Sequence, residues 1–548
     1  MSAGVRRALQ GLVGAAAMIA AITVVSRVLG LVRTIVQAST VGTEAINDAY
    51  SAANLLPNVL FEIAAGGALA GAVVPLLAAP VARADRDQVA RVVSAALGWV
   101  LLVLLPVGVL LAALSGVVGS YAGDDPVMAS TVRFFVLVFA VQVPVYGVTV
   151  LLYGVLQAHK RFFWPAFAPV LNSVVLIATF AVYGAMADGE TSDPTALAAG
   201  ALDVLAWGTT AGVVAMCLPV IGPVRRLGVR LTPTLRFPGD AATRFRALAL
   251  AGVGSVAAQQ VSVLVVWLMA NGLLPHDGRG FSAVVYSQQI YLLPYAVLVV
   301  PLATSTFPRV AAYAAAGDAV RFARMSAVTT RAVLAVGALG GAAVLAAAAA
   351  VATVFARVSP GADGVIGAMT VLLTWMAPGV VGLAVMFHVS RTLYAVERPR
   401  AAVAANVVGW GTLAVLAPVL LLVTGTEGSA VLRAIGLATS LGMTAGGIAA
   451  VVVLRRAAGA AALSGMLRTA VVALVAAGAG AVAGRAVAST VLDLVGDDVW
   501  SATGAAAGAA VVAATVVAAA VMVLDPGTLR GVVAVEPAPV PPTGGVRR

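Results

Sequence analysis

The sequence predicts an all-α polytopic membrane protein of about 14 transmembrane helices, arranged as two parallel six-helix lobes around a central cavity with two further C-terminal helices. Three observations carry this reading. Of 548 residues, 61% are hydrophobic and only 10% charged, with a mean hydropathy of +1.04, outside the usage of soluble globular domains. Apolar runs of the ~20 residues needed to cross a bilayer recur along the chain. The loops between them alternate between basic and acidic, as positive-inside topology requires.

The runs fall near 12–40, 47–80, 89–119, 127–157, 164–187, 197–221, 243–272, 281–313, 325–355, 365–396, 400–424, 428–454, 467–490 and 502–524. Several exceed 25 residues, so tilt or kinks are expected, with Pro75, Pro106, Pro144, Pro294, Pro301 and Pro308 as sites for them. Arg6 and Arg7, Arg83 and Arg86, His159 to Arg161, Arg225 to Arg246, Arg321 and Arg324, Arg398 and Arg400, and Arg455 and Arg456 occupy one set of loops. Glu44, Asp124 and Asp125, Asp188 to Asp193, His276 and Asp277, Asp363, Glu427, and Asp493 to Asp498 occupy the other. The first set is expected in the cytoplasm, which puts both termini inside. The N-terminal run reads as a retained first helix, because no persuasive cleavage site follows it.

Residues 222–246 form the longest basic loop and divide six helices (1–221) from the rest. LYGVLQ at Leu152 resembles LYAVER at Leu393, and LPN at Leu56 has a counterpart in LPY at Leu293, both offset by about 240 residues. An even number of helices per repeat keeps both lobes in the same orientation, so residues 247–460 form the second lobe. The two helices in 461–524 have no counterpart, and the Pro-rich tail 525–548 is expected to be disordered.

Composition also excludes. The net charge of +11 is explained by loop arginines rather than by nucleic acid. The single cysteine, Cys217, rules out an internal disulfide. With Lys160 as the only lysine, and no Gly-rich motif around it, no ATP-binding P-loop is present. His159, His276 and His388 lie in different segments, so no metal-ligand spacing exists and no cofactor is expected. Coupling to sodium or protons, or to the membrane potential, stays open.

The chemistry concentrates between Met18 and Pro80, where two apolar runs carry Arg27, Arg33, Asp48 and Glu62. A charge in a bilayer core costs roughly 2.5 to 3.5 kcal/mol on insertion scales, so such residues face protein or a water-filled cavity. On a helix wheel Asp48, Ser51, Asn58 and Glu62 fall within about 80° of one another, with Asn54 to one side. Arg27 and Arg33 are about 120° apart, and a bend at Gly30 would turn both into one cavity; snorkelling to an interface is the alternative. Pro57 reads as a functional kink between Asn54 and Asn58. In the second half, His388, Arg391, Tyr394 and Glu397 recur every three residues, with Arg391 the candidate for the cavity. Gln259, Gln260, Ser262, Asn271, Gln288 and Gln289 offer either a polar lining or interhelical hydrogen bonds.

SRVLGLVR (Ser26 to Arg33), NDAYSAANLLPN (Asn47 to Asn58), YSQQIYLLPYAVLVVPLATSTFP (Tyr286 to Pro308) and SRTLYAVERPR (Ser390 to Arg400) resemble, in order and spacing, the MviN/MurJ lipid II flippases. The resemblance covers about residues 10–460. It implies the multidrug/oligosaccharidyl-lipid/polysaccharide exporter fold, with the last two helices shaping a lipid-facing groove. It implies outward transport of lipid II across the bacterial cytoplasmic membrane by alternating access, with cell-wall synthesis and division proteins as candidate partners. Arg27 and Arg33 match arginines that engage the pyrophosphate, and Asp48 matches the acidic residue after them. Where many members carry an arginine pair and a glutamate in helix 2, this chain has Phe61, Glu62 and Gly66. Where they carry Asp-Arg in helix 8, it has Gln288 and Gln289, a pattern similar to the actinobacterial branch. The alternatives are a flippase for another polyprenyl-linked glycan, a drug exporter of the superfamily, a non-transporting cell-wall scaffold, and, more remotely, a membrane-embedded glycosyl or prenyl-phosphate transferase.

Overall fold

A computed structural model describes residues 3–64, 70–123, 125–229, 231–239, 241–275, 280–359 and 363–528. Gly66, Asp124, His276, Asp277 and all but the first four residues of the expected tail lie outside them. The described residues are helical almost throughout: α1 Ala3–Thr40, α2 Ala45–Glu62, α3 Ala70–Ala82, α4 Arg86–Ala113, α5 Ser115–Ala122, α6 Pro126–Ala140, α7 Gln142–Ala158, α8 Phe163–Ala187, α9 Ala201–Arg225, α10 Ala241–Leu273 and α11 Phe281–Pro294. A π-helical turn, Tyr295–Val299, then leads to α12 Val300–Ala315, α13 Ala319–Val358, α14 Asp363–Met376, α15 Gly379–Ala395, α16 Pro399–Thr424, α17 Gly428–Ala458, α18 Met466–Val495 and α19 Val499–Leu524.

Among the described residues, eleven helical stretches are long and apolar enough to cross a membrane, or twelve if the bent pair α14–α15 is one span. The described residues alone therefore do not confirm the count of fourteen. The expected spans outside it are 12–40 and 47–80, the two that carry the charges. In the second, α2 places Asn47, Asp48, Asn54, Asn58 and Glu62 within 18 residues.

The breaks follow from backbone chemistry. Proline supplies no N–H and its ring crowds the carbonyl four residues back. The π turn begins immediately after Pro294, as that loss predicts. The bend of 49° between α14 and α15 falls at Ala377–Pro378, a site the sequence reading did not single out. The groups freed there are met by Ser440 on α17, whose hydroxyl donates to the Trp375 carbonyl (2.5 Å) and, shared, to the Met376 carbonyl (3.0 Å), and accepts from the Gly379 N–H at 3.0 Å. In α2, Pro57 takes the donor from the Ala53 carbonyl. The neighbouring carbonyls of Ala52 and Asn54 receive Trp267 Nε1 (3.1 Å) and Asn58 Nδ2 (2.7 Å). Added donors to the carbonyls around a break help an interrupted helix persist in lipid.

Three apolar clusters organise the packing. One unites both halves of the chain, bringing Ile46 and Tyr50 of α2 and Phe139 of α6 together with Phe281 and Tyr286 of α11 and Met369 of α14. A second holds α3, α4, α7 and α9 and takes in Ala241 and Phe245 at the start of α10. The third packs α13, α15 and α17 against α18 and α19. Residues of the basic loop lie along α4: the Thr234 N–H donates to the Ser94 carbonyl (3.2 Å), and Trp99 Nε1 donates to the Leu235 carbonyl (3.2 Å). A Cβ on Gly98 would collide with the Thr234 backbone, so the close approach requires glycine there. At the far end, Thr528 donates to the Asp525 carboxylate at 2.6 Å, and Thr469 also donates to it.

Candidate functional site

The central cavity has three adjoining compartments, of about 510, 240 and 230 Å³, all lined by Leu292 of α11. The largest lies in the first half of the chain. Arg33, Ser51, Asn54, Asn58, Glu62 and Tyr146 line it, and Gln259, Gln260, Gln288 and Gln289 close it from α10 and α11. Asn54 thus joins the polar face it was read as flanking. Tyr146 donates to Asn58 Oδ1 (3.1 Å), and Tyr50 shares a 3.1 Å hydrogen bond with Thr209 inside a nest of Phe135, Phe139 and Phe180. The second compartment is mostly apolar and aromatic, including Tyr291, Tyr295, Phe387 and Trp410, with Arg27 and Gln288 among its polar groups.

Arg27 and Arg33 meet in the smallest compartment, which runs along α1 past Ser26, Gly30 and Thr34 to Gln289. Helix α1 continues unbroken through Gly30, and the compartment spans the face between the arginines instead. Among the described residues neither guanidinium has a hydrogen bond or ion pair. Each acts electrostatically on tyrosine hydroxyls, Arg27 on Tyr295, and Arg33 on Tyr50 and Tyr146. Glu62 is the sole carboxylate among the residues lining the three compartments. Two cations and one anion leave the described lining positive. Arg391 stands outside it: its Nη1 donates to Thr304 on α12 at 2.9 Å, and its charge acts on the Tyr295 hydroxyl. His388 is buried against Thr329 rather than facing the cavity (3.2 Å).

Asp48 does not line the cavity; it is fully buried at one end, where the halves meet. Its Oδ1 accepts the N–H of Ser282 at 2.6 Å, capping the N-terminus of α11 from the other half of the chain. A carboxylate there satisfies an orphan helix donor and complements the helix dipole. Beside it, Asn47 Nδ2 donates to Ser282 Oγ (2.7 Å) and to the Tyr286 hydroxyl (3.0 Å). Gln37 Nε2 donates to Asn47 Oδ1 (2.9 Å), and Tyr286 donates to the Gly42 carbonyl (3.1 Å). Thr43 and Ser359 hydroxyls approach to 3.4 Å. Sequence reasoning missed Asn47, Ser282 and Tyr286; the NDAY and YSQQ motifs contained two of them, without a sign that they would pair.

The loop 188–200 braces this closed end. The Ile46 N–H donates to the Thr191 carbonyl (3.1 Å), and Thr191 Oγ1 donates to Glu44 Oε2 (2.7 Å). Glu190 accepts from the Asp193 and Ser192 N–H groups and from the Ser192 hydroxyl, which holds its carboxyl below the usual glutamate value.

A family model described as lipid II flippase MurJ matches residues 37–496. A probable lipid II flippase MurJ of Rhizobium meliloti (strain 1021) is 28% identical over 302 residues, 53% of this chain and 53% of that protein. The lipid II flippase MurJ of Burkholderia cenocepacia is 31% identical over 300 residues, 52% of this chain and 54% of its own. The matched stretch thus spans about half the length of these relatives. Among solved structures, a lipid II flippase MurJ in an inward closed conformation aligns with a TM-score of 0.73 at 16% identity, covering 93% of this chain and 99% of that one. An inward-facing multidrug resistance transporter of the MATE family, in the MOP superfamily, aligns with a TM-score of 0.66 at 14% identity, covering 80% and 96%. The fold is shared with these transporters, and, with a family model matched over most of its length, the chain belongs to the MurJ lipid II flippase family.

Proposed function

We propose that the protein is a flippase for lipid II, the polyprenyl-pyrophosphate-linked peptidoglycan precursor, which it carries from the inner to the outer leaflet of the bacterial cytoplasmic membrane by alternating access. The observation that carries the reading is the pair Arg27 and Arg33, two guanidinia on the wall of one cavity with no ion pair among the described residues. A planar five-donor guanidinium suits a pyrophosphate. Two cations against one carboxylate fit an anion better than the cationic cargo of many drug exporters. The polar compartment lined by Asn58, Glu62, Gln288 and Gln289 offers hydrogen bonds to sugar and peptide, and Arg391 adds positive potential at the Tyr295 hydroxyl.

In this reading both termini are cytoplasmic, 222–246 joins the lobes, and 461–524 guides the lipid tail. The Asp48 end is the outer gate, shut while the cavity loads. Substrate entering from the inner side would meet Arg27 and Arg33 before the gate opens.

Complementation of a lipid II flippase depletion strain tests the proposal, with membrane abundance checked by blot. Rescue by the wild type but not by equally abundant Arg27→Ala supports it. Failure of the well-expressed wild type points to another polyprenyl-linked glycan, and rescue by both makes Arg27 structural.

A further inference from the structure

A separate cleft of about 700 Å³ lies where the first turns of α13 meet the end of α17, the short 3₁₀ turn Ala460–Leu463 and Gly527. Its walls are small and apolar, with Ala323, Ala327, Val328 and Ala458 among them. Its charged lining is Arg324 and Arg331 alone among the described residues. Seven residues apart on one helix, the two arginines share a face about 10 Å apart along the axis.

The Arg331 guanidinium lies close to the backbone of Gly465 and Gly527. A Cβ on Gly465 would come within 2.9 Å of its Nη1, and one on Gly527 within 3.8 Å. Its buried Nε has no hydrogen-bond partner, and Nη2 makes only a 3.5 Å contact with the Gly527 carbonyl. Among the described residues, the nearby Asp525 carboxylate accepts from Thr469 and Thr528 at Oδ2 and from neither arginine. Arg321, Arg455, Arg456 and Arg468 lie at the ends of α13, α17 and α18 on this side, where Arg321 pairs with Asp318 at 3.5 Å and Arg468 donates to the Leu524 carbonyl at 2.6 Å. The site therefore combines excess positive charge, an orphaned guanidinium donor and an apolar wall, which together fit an amphiphile with an anionic head.

We infer that this cleft binds an anionic phospholipid, its phosphodiester between Arg324 and Arg331 and its acyl chains along the alanine and valine wall. The inference rests on the reading that this end of the chain is the cytoplasmic surface, and is independent of what the central cavity transports. The site is distinct from the Arg27–Arg33 compartment, with which it shares no lining residue.

Native mass spectrometry of the full chain released from detergent tests it, with phosphatidylglycerol, phosphatidylcholine and inorganic phosphate as probes. The expected result for the wild type is a roughly thirtyfold preference for phosphatidylglycerol over phosphatidylcholine, from two cations near the surface. Arg324→Gln/Arg331→Gln reduces that preference to near unity, and Val328→Trp, which fills the cleft without altering charge, does the same. Arg27→Gln/Arg33→Gln, in the central cavity, leaves it in place. Phosphatidylglycerol retention at the wild-type level in both cleft variants overturns the inference. So does loss in the cavity variant alone, or displacement by millimolar phosphate, which marks a simple anion site. A chain that fails complementation yet keeps this pattern overturns only the transport proposal.

Discussion

Replacing Asp48 weakens closure of the cavity at the end where α2 meets α11. The carboxylate is fully buried and accepts the Ser282 N–H at 2.6 Å. Asp48→Ala leaves that donor buried without its acceptor, a loss of about 1–3 kcal/mol and toward the upper end because the bond is charge-assisted. Taking about 2.5 kcal/mol, at 1.4 kcal/mol per tenfold, the equilibrium between closed and open ends shifts roughly 60-fold. A gate closed about 99:1 then stands near 3:2. Asp48→Asn keeps an acceptor oxygen and loses only the charge and its interaction with the helix dipole, so its shift is nearer fivefold, from about 1 kcal/mol. The assay is cross-linking of Thr43→Cys to Ser359→Cys, whose native hydroxyls lie 3.4 Å apart, in a Cys217→Ala background with a short bifunctional reagent. The cross-linked fraction should fall in the order wild type, Asp48→Asn, Asp48→Ala. Gly280→Ala should act like Asp48→Ala, because its Cβ would strike the same carboxylate without changing any charge. Equal cross-linking in all four proteins would refute the assignment of Asp48 to the gate.

Other expectations follow from local chemistry. Ser440→Ala removes the partner of the Gly379 N–H and the Met376 carbonyl, and should lower stability in detergent by about 1–3 kcal/mol, read from thermal unfolding; an unchanged midpoint would mean that water replaces the hydroxyl. Gly98→Val should unseat the 231–239 segment from α4 and expose it to trypsin at Arg236, whereas wild-type cleavage kinetics would contradict that docking. Glu190 has a lowered pKa, so its hydrogen bonds are present above the ordinary glutamate range and are lost as pH falls through the lower folded value. Protection of the Ser192 and Asp193 amides against hydrogen exchange, corrected for intrinsic rates, should therefore persist at pH 5 and collapse only under stronger acid; loss already at pH 5 would reverse the sign.

What the chain reveals by inspection depends on whether the partners are close in sequence. Helical placement follows from the period and length of the apolar runs, and the cavity role of Ser51, Asn58 and Glu62 follows from their common face on α2. Pro57 is legible because the proline alone removes a helical donor, whatever its neighbours do. The Asp48 contact is not: its carboxylate binds a backbone N–H 234 positions away, and a backbone donor has no side-chain signature. Pro378 removes a donor in the same way, but its partner does not show: Ser440, which makes its break tolerable, lies on another helix. Arg391 shares a helical face with His388 and Tyr394, but spacing along one helix does not say which neighbour that face meets, and here the neighbour is α12.

Helix α10 begins with Ala241 and Phe245 embedded beside α3 and α4 and ends with Trp267 and Ala270 in the cluster where the halves converge. A connection of this kind stores elastic energy. Slack rope between two bodies transmits no torque, whereas a 33-residue rod anchored at both ends resists relative rotation along its length. Rocking of the halves must therefore flex the rod or pull one anchor free, and Gly254, whose added Cβ would meet nothing within 4 Å, marks a slender point in its middle.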